Sequence, residues 1–339
     1  MKNSLAFLLV FTFFTLGCGN GRDNSPKPAS NQTLRGERTD TLLICSFNIQ
    51  FLGHFKKKDN EALAGILKDY HIVVIQELVA PPADGTYPNG ESFSADEESA
   101  AFFEAMKNRG FKYLLSDEDT GTGDEIHTSG TSTEWWVTFF KPNAVTPAND
   151  LPSGFLAQDR SNNDDYERVP YAFAFRSSNG KLDFVLISVH LMPGETNANK
   201  ARRKHELATI FAWIDAHDET EKDFIVLGDM NIEDQTELAQ ATPNGYLSLN
   251  DECRKTNTLM TPNAGRPYDH VMYNTTYTRN EIDTRFDVHV VDLIDAMRSS
   301  WTSNEPYPGD PYDHERFRQY YSDHHPILFK MVIPKRDDD

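Results

Sequence analysis

The chain has 339 residues, 38% of them hydrophobic, which is enough apolar material for one large core. Acidic residues outnumber basic ones by 52 to 33, and the formal net charge is −19. A net charge of this sign repels polyanions, so composition excludes a protein that holds nucleic acid by bulk electrostatic attraction, and a phosphate-bearing substrate needs cations placed locally.

The N-terminus is typical of a targeting segment. Lys2 precedes an apolar run over residues 5–17, which is too short for a permanent transmembrane helix. Cys18 follows the sequence TLG directly, and this resembles a bacterial lipoprotein signal, in which the cysteine is lipidated and becomes the mature N-terminus. The alternative is an ordinary cleaved signal peptide. We therefore expect an exported protein, anchored by lipid at Cys18 to the bacterial cell envelope or otherwise secreted.

The remaining chain divides into a tether, one domain and a tail. Residues 18–40 are rich in Asn, Ser, Gly and Pro without an apolar period, which predicts a disordered tether. A single domain is predicted over residues 41–334, followed by an acidic tail at 335–339. A domain of this size does not depend on disulfides, so a bridge between Cys45 and Cys253 is left open, and Cys45 is expected to be buried.

Strand patterns outnumber helix patterns along the domain. Apolar runs predict strands at residues 41–49, 71–78, 134–142, 171–175, 182–191, 222–229, 268–273 and 325–333. Helical spacing predicts helices at residues 60–70, 94–110 and 197–217. Ser94, with Glu97 three residues later, is the predicted N-cap of the second helix. The two patterns alternate only in places, which favours a strand-rich, layered α/β domain with much antiparallel pairing.

Two short basic clusters are most simply interpreted as solvent-exposed. Residues 56–58 are three consecutive lysines, which form either a solvated loop or a rim that contacts phosphate. Arg202, Arg203 and Lys204 lie on the third predicted helix, whose opposite face is apolar, so we expect them to be exposed.

Polar side chains stand where the predicted strands end. A carboxylate that directly follows a buried strand is costly unless it is paired or binds a cation, and a strand end holds a side chain accurately. Taken singly, each residue is as well explained by a turn or a satisfied core position, so the argument depends on the ordered set. The set consists of Asn48, Glu77, His190, Asp229, Asn231, Asp323 and His324.

The oxygen ligands in this set indicate a hard divalent cation. Asn48, Glu77 and Asp323 suit Mg²⁺, Mn²⁺ or Ca²⁺ better than zinc. The cysteines form no zinc-binding spacing. We therefore expect a magnesium-type site.

The remaining members of the set indicate proton transfer. His190 and His324 can hydrogen-bond a phosphate, protonate a leaving oxygen or accept a proton from water. Asp229 and Asn231 are two residues apart at a strand tip, so we expect them to face the same side and to orient water. Together with a metal, these are the parts needed for attack of water on a phosphate ester.

The ordered motifs FNIQFLG, IQEL, SVHLMPG, LGDMN, YDHV and SDHHP resemble those of the endonuclease/exonuclease/phosphatase superfamily over roughly residues 41–334. The resemblance implies a deoxyribonuclease I-like fold of class α/β (α+β), a four-layered α/β/β/α sandwich of two mainly antiparallel sheets with the site at one edge. The deoxyribonuclease branch matches best at FNI, at the H-x-x-P that starts at His190, and at GD-x-N.

The resemblance also implies how the histidines act. His190 and His324 would form the catalytic pair. Asp269 matches the acid that orients the first of them, His190, and Glu134 matches the acid that partners the second, His324. Arg168 lies where the family places an arginine against substrate phosphate.

The resemblance implies a metal shell and a water site. Glu77 would bind the divalent metal, with Asn48 and Asp323 completing or supporting its shell. Asp229 and Asn231 would orient the attacking water and stabilise the transition state.

One departure from the deoxyribonuclease branch bears on substrate. Residues 78–82 read LVAPP where that branch has a valine–arginine pair that contacts the minor groove, which weakens duplex binding. We expect a monomeric, metal-dependent phosphodiesterase, and the preferred interpretation is a nuclease that cuts DNA. The alternatives are a phospholipid or phosphoinositide phosphodiesterase or phosphatase, and a non-catalytic surface binding protein. The loop TYPNGESFS (86–94) has no assigned role.

Overall fold

The structure is a computed structural model that describes residues 40–121, 126–127, 131–160 and 162–336. All of these belong to one unit, Thr39–Asp339. The predicted signal segment, Cys18, nearly all of the predicted tether and residues 337–339 of the predicted tail lie outside the described residues. None of the helices in the described part of the chain combines the length and the apolar character that crossing a bilayer requires.

Strands make up most of the secondary structure. The strands are β1 (Thr41–Leu52), β2 (Ile72–Leu78), β3 (Gly85–Thr86), β4 (Ser92–Phe93), β5 (Lys112–Leu115), β6 (Trp135–Phe140), β7 (Val145–Pro147), β8 (Gly154–Phe155), β9 (Tyr171–Ser177), β10 (Asp183–His190), β11 (Phe224–Asp229), β12 (Tyr246–Ser248), β13 (Asp269–Asn274), β14 (His289–Val290) and β15 (Ile327–Val332). The helices are α1 (Asn60–Leu67), α2 (Glu97–Asn108), α3 (Asn197–Asp215), α4 (Gln235–Ala241), α5 (Leu293–Arg298) and α6 (His314–Tyr320), with a 3-10 turn at Thr278–Asn280.

The strands form two large sheets and one small hairpin. The first sheet has the order β14-β15-β1-β2-β6-β5, and the second has the order β12-β13-β11-β10-β9-β7 with β8 also on β9. In the first sheet β1 and β2 are parallel, and in the second β10 and β11 are parallel, while the other neighbours are antiparallel. Strands β3 and β4 form a separate two-stranded hairpin.

The apolar residues form three layers of core that define a sandwich. The central layer lies between the sheets and contains Trp136 and Phe173. A second layer lies between the first sheet and α1, α2, α5 and α6, and a third lies between the second sheet and α3 and α4. Adjacent strand residues point to opposite faces of the sheet. Trp135 therefore packs in the second layer, against the helices, while Trp136 packs in the central layer between the sheets. The predicted α/β/β/α arrangement with mainly antiparallel sheets is confirmed.

Two local predictions are wrong because polar contacts override the simple pattern. The N-cap of α2 is Asp96 and not Ser94, since the Asp96 carboxylate accepts from the backbone N–H groups of Glu98 and Ser99. Arg203 is fully buried and not exposed. Its guanidinium donates to the carboxylate of Glu237 and to two backbone carbonyls.

Two further sequence questions are settled by burial. Lys58 is neither solvated nor at a rim, because its ammonium group lies inside the fold and donates to the carbonyl oxygen of Tyr321. Cys45 is buried as expected, and both Cys45 and Cys253 are free thiols.

Candidate active site

The parallel strand pairs bring the predicted polar residues to one edge of the sandwich. Asn48 on β1 lies beside Gln76 on β2, and His190 on β10 lies beside Asp229 on β11. Strand β13 runs antiparallel to β11, so its first residue, Asp269, pairs with Asp229 at the same edge. Asn48 Nδ2 lies 3.0 Å from Asp229 Oδ2, which joins the two sheets at the site.

The first histidine is held by Glu134. His190 Nδ1 donates to Glu134 Oε1 at 2.9 Å. The same carboxylate forms an ion pair with Arg168 Nε at 3.1 Å and accepts the backbone N–H of Glu77 at 2.5 Å. Glu134 therefore fixes the ring of His190 and the arginine together.

The second histidine is held by Asp269. His324 Nδ1 donates to Asp269 Oδ2 at 2.8 Å. The segment at Thr256 and Asn257 explains the pairing: Thr256 Oγ1 accepts from the backbone N–H of Asp269, and Asn257 forms a β-bridge with His324. These backbone contacts set Asp269 beside His324.

The acid–histidine pairing is therefore the reverse of the one expected from the resemblance. Glu134 partners His190 and Asp269 partners His324. Sequence order does not fix which acid reaches which ring, because both contacts span more than 50 residues and depend on how the strands pack.

Asp229 lies between the two rings. Its Oδ2 is 3.6 Å from His190 Nε2 and 3.5 Å from His324 Nε2. One carboxylate oxygen thus faces both histidines on the side opposite their acid partners.

Asn231 lies beyond β11, which ends at Asp229, so strand alternation does not set the direction of its side chain. Strand β11 ends at Asp229, and Asn231 adopts a left-handed conformation with φ of 51°. Its side-chain amide donates to the carbonyl of Leu191, while its backbone N–H donates to Asp229 Oδ1. Asn231 supports Asp229 through its backbone, and alternation applies only within a strand.

Glycine is required at the residue before Asp229. Gly228 has φ of 143°, and a Cβ there would lie 2.1 Å from the carbonyl oxygen of Val189. This close approach sets His190 beside Asp229.

Three side chains lie close enough together to hold a single cation. Glu77, His190 and Asp229 each offer an atom within 4.8 Å of the others. Of these three, only Glu77 is among the metal ligands expected from the sequence, which were Glu77, Asn48 and Asp323. Asn48 presents its amide nitrogen to the Glu77 and Asp229 carboxylates, at 2.8 and 3.0 Å, and its oxygen accepts from the backbone N–H of Gln50.

Asp323, the third expected ligand, is held by Gln50, a residue that the sequence analysis did not select. Gln50 Nε2 donates to Asp323 Oδ2 at 2.5 Å. Asp323 Oδ1 is buried and has no hydrogen-bond partner within the described part of the chain. Gln50 lies in the motif FNIQFLG, but its role becomes visible only when β1 and the Asp323 turn meet.

The remaining residues of SDHHP have structural tasks. Ser322 Oγ donates to the carbonyl of Asn48 at 2.7 Å and accepts from the backbone N–H of His324. His325 Nδ1 accepts from the backbone N–H of Leu293 at 3.0 Å. Ser322 therefore shapes the turn, and His324 rather than His325 enters the site.

The carboxylates keep both site histidines basic. Burial, and then Arg168, act to lower the pKa of His190, but Glu134 and Asp229 outweigh them and raise it above its usual value. Burial likewise opposes charge on His324, yet Asp269 and Asp229 raise its pKa well above the usual value. Burial also opposes charge on Asp229, but the two histidines hold its pKa below the usual value. The site therefore favours two imidazolium rings around one carboxylate.

The pKa of Glu77 is shifted in the opposite direction from that of Asp229. Burial raises the pKa of Glu77, His190 acts to lower it, and the nearby Asp323 raises it further. Glu77 also has a left-handed backbone with φ of 62°, which is strained for this residue type. A bound cation would relieve the electrostatic cost of the buried carboxylate.

A profile of the Endonuclease/Exonuclease/phosphatase family matches residues 45–324, which include every predicted site residue of the described domain. The chain belongs to this family. Family membership supports a hydrolase of phosphate esters that uses a divalent metal, and the two-sheet sandwich is the deoxyribonuclease I-like fold of the family.

Solved structures with the same fold are distant in sequence. The complex of D. rerio TDP2 with a single-strand DNA product has 14% identity and a TM-score of 0.50, covering 86% of this chain and 98% of that chain. A mannosyl-6-phosphatase from Bacteroides thetaiotaomicron has 13% identity and a TM-score of 0.53, covering 86% and 99%. A family protein from Leptotrichia buccalis has 14% identity and a TM-score of 0.52, covering 86% and 99%. No curated protein matches this chain in sequence.

Proposed function

We propose that this protein is a divalent-metal-dependent phosphodiesterase that acts on nucleic acid, with DNA as its substrate. The observation that carries the proposal is the placement of two acid-supported histidines, His190 and His324, with both Nε2 atoms directed at Asp229 Oδ2. Glu77 lies beside this group. Such an arrangement suits an ester whose phosphate enters between the rings.

The chain's own residues can perform binding and proton transfer. The protonated rings of His190 and His324 can donate hydrogen bonds to phosphate oxygens, and one of them can protonate the leaving oxygen. Asp229 stays ionised and can accept a proton from water or orient it. Arg168 Nη1 is buried without a hydrogen-bond partner among the described residues, so it can donate to a phosphate oxygen.

The donor set fits a hard divalent cation such as Mg²⁺, Mn²⁺ or Ca²⁺. Glu77 and Asp229 would hold the cation, with His190 beside them and Asn48 fixing both carboxylates. When bound, the cation would neutralise charge on the phosphate and polarise its oxygens. Asp323 has a free buried oxygen and would extend the negative charge around the cation.

Single strands or strand ends fit the surface charge better than a duplex. The net charge of −19 opposes a long polyanion, and residues 78–82 at the end of β2, LVAPP, include no basic residue. D. rerio TDP2, which shares the fold, is recorded with a single-strand DNA product. We therefore expect single-stranded DNA to be cleaved faster than duplex DNA.

The test compares hydrolysis of single-stranded DNA, plasmid, mannose 6-phosphate, sphingomyelin and phosphoinositide by the full chain with Mg²⁺. His190→Ala and His324→Ala should each reduce kcat for the cleaved substrate by about 10²- to 10⁴-fold, because each removes a general acid or base. A chelator should abolish turnover, and added Mg²⁺ should restore it.

His205→Ala is the matched control, because His205 is half exposed on α3 and pairs only with Asp165 near the surface. It should retain wild-type kcat. Full activity in both site variants would contradict the mechanism. Hydrolysis of a lipid or sugar phosphate, with DNA left intact, would contradict the nuclease assignment.

We also propose that the protein is exported and lipid-anchored at Cys18, on the strength of the apolar run at residues 5–17. A bacterium that expresses the gene and is fed a clickable palmitate analogue should label the wild-type chain. Cys18→Ser should remove the label, because the acylated thiol is lost, whereas Cys253→Ser should keep it. An unlabelled wild-type chain would leave secretion after ordinary cleavage as the alternative.

A further inference from the structure

A cavity of about 610 Å³ opens on the helix side of the first sheet. Its size falls within the range of small-molecule sites in proteins, about 300–1,000 Å³. The segments that line it come directly from the ends of the strands that carry the site. They include Gly53 and His54 after β1, Val79 to Pro81 after β2, and Trp135, which follows Glu134.

One wall of the cavity directly continues β2, the strand that carries Glu77. Val79 is two residues from Glu77, so their Cα atoms are at most about 7 Å apart. The backbone N–H of Val79 donates to the carbonyl of Leu52 at 2.9 Å, which ties the two strand ends that form the wall. A group attached to a phosphate between His190 and His324 can therefore extend over this edge into the cavity.

Aromatic rings form one side of the cavity. Tyr87 stacks on His127 with centroids 3.6 Å apart and lies nearly parallel to Trp135 at 5.8 Å. Phe93 meets Trp135 edge to face at 4.9 Å. The loop left without a role by the sequence is thus the β3–β4 hairpin, and it turns Tyr87 and Phe93 inward toward Trp135.

Glycine in β3 makes room for one of these rings. A Cβ at Gly85 would lie 2.3 Å from the tip of the Phe93 ring, so only glycine permits the ring to lie across the hairpin. The hairpin therefore holds Phe93 in place against the cavity wall.

The charged groups of the cavity are acidic. Glu91 and Asp96 line it. The Asp96 carboxylate caps α2 and is paired with Lys56, so Glu91 is the acid of the lining that is left to accept from a ligand. Acidic groups disfavour a second phosphate and favour a ligand that donates hydrogen bonds. A flat heteroaromatic ring with an exocyclic amino group meets both requirements, since it stacks on aromatic faces and donates to carboxylates.

We infer that this cavity binds the nucleobase of the nucleotide whose phosphate is hydrolysed, with preference for a base that carries an amino group. The inference deepens the proposed function and rests on it for the identity of the substrate. It explains how an acidic protein selects a strand: the base must leave the duplex to enter the cavity, which restricts cleavage to single strands and ends.

The test is calorimetric titration of the full chain, with EDTA present to prevent turnover, using adenosine 5′-monophosphate, ribose 5-phosphate and mannose 6-phosphate. Adenosine 5′-monophosphate should bind about tenfold more tightly than ribose 5-phosphate, because stacking of one base contributes binding free energy of about that size. Equal affinities, or tighter binding of mannose 6-phosphate, would overturn the inference.

Two variants connect the preference to the hairpin. Phe93→Leu keeps the apolar packing and removes the aromatic face, and Gly85→Ala displaces the ring, so each should reduce the tenfold preference to about threefold or less. Tyr277→Ala is the control, because Tyr277 is an exposed tyrosine beyond the end of β13 opposite the site, and it should keep the full preference. An equal loss in all three variants would count against the cavity.

Binding and hydrolysis separate the two proposals. If adenosine 5′-monophosphate is preferred as expected but no nucleic acid is cleaved, the cavity assignment stands and the proposed nuclease function fails. If DNA is cleaved and no base preference is measured, the function stands and the cavity assignment fails.

Discussion

At the scale of residues, two opposing effects set the pKa values of the site: burial disfavours the charged forms, and neighbouring opposite charges favour them. Burial alone would leave His190 and His324 neutral, yet each ring lies between two carboxylates and gains a raised pKa. Asp229 serves both rings, and its own pKa is lowered by them. The three groups therefore titrate as a unit, and removing any one changes the others.

Glu134→Gln tests this balance at His190. Without the carboxylate, burial and Arg168 dominate, so the pKa of His190 should fall below its wild-type value and the protonated form should persist only at lower pH. The catalytic rate constant should fall about 10²-fold, because an acid–base group is mispositioned and less protonated. Nitrogen NMR titration of the imidazole reports the pKa directly.

Asp165→Asn is the control for that titration, since Asp165 pairs with the half-exposed His205 on α3. It should leave the pKa of His190 and the rate unchanged. An unaltered pKa of His190 in Glu134→Gln would show that Glu134 does not set its protonation.

At the scale of elements, helix α3 anchors the loop that follows the first histidine. Arg203 Nη1 donates to the carbonyls of Met192 and Gly194, and its Nε donates to Glu237 on α4. Glu206 accepts the backbone N–H groups of Met192 and Glu167, and Glu167 precedes Arg168. One turn of α3 thus fixes both the chain that follows His190 and the chain that precedes Arg168.

Arg203→Met should lower the free energy of unfolding by about 3 kcal/mol, because Glu237 stays buried without its partner. The expected loss lies at the low end of the range for broken buried pairs, since Lys200 remains 3.7 Å from Glu237. Urea unfolding measures the change. Lys204→Met, an exposed neighbour, should change it by less than about 0.5 kcal/mol, and equal losses in the two variants would rule out the buried pair as the cause.

At the scale of the whole molecule, the two sheets repeat one arrangement. Each sheet contains one parallel pair, β1 with β2 and β10 with β11, within otherwise antiparallel strands. Both parallel pairs end at the same edge, and the loops that follow them supply the polar groups. A sandwich with an apolar interior thus carries its polar groups on the loops and strand ends of one rim.

The sequence by itself predicted eight of the strands, three of the helices and the polar residues at the strand ends, while the layers were expected from the family resemblance. Alternation and helical spacing are local, and local spacing is enough to place strands, helices and their polar ends. The convergence of Asn48, Glu77, His190, Asp229 and His324 was predicted from their position after buried strands, and the structure brings them together.

Only the tertiary structure decided which groups meet. The exchange of acid partners between His190 and His324, the burial of Arg203 and the inward hairpin of Tyr87 all depend on contacts between segments far apart in the chain. Periodicity tells which face a side chain occupies but carries no information about the segment that packs against that face. Strand order and register supply that information, and they exist only once the two sheets have assembled.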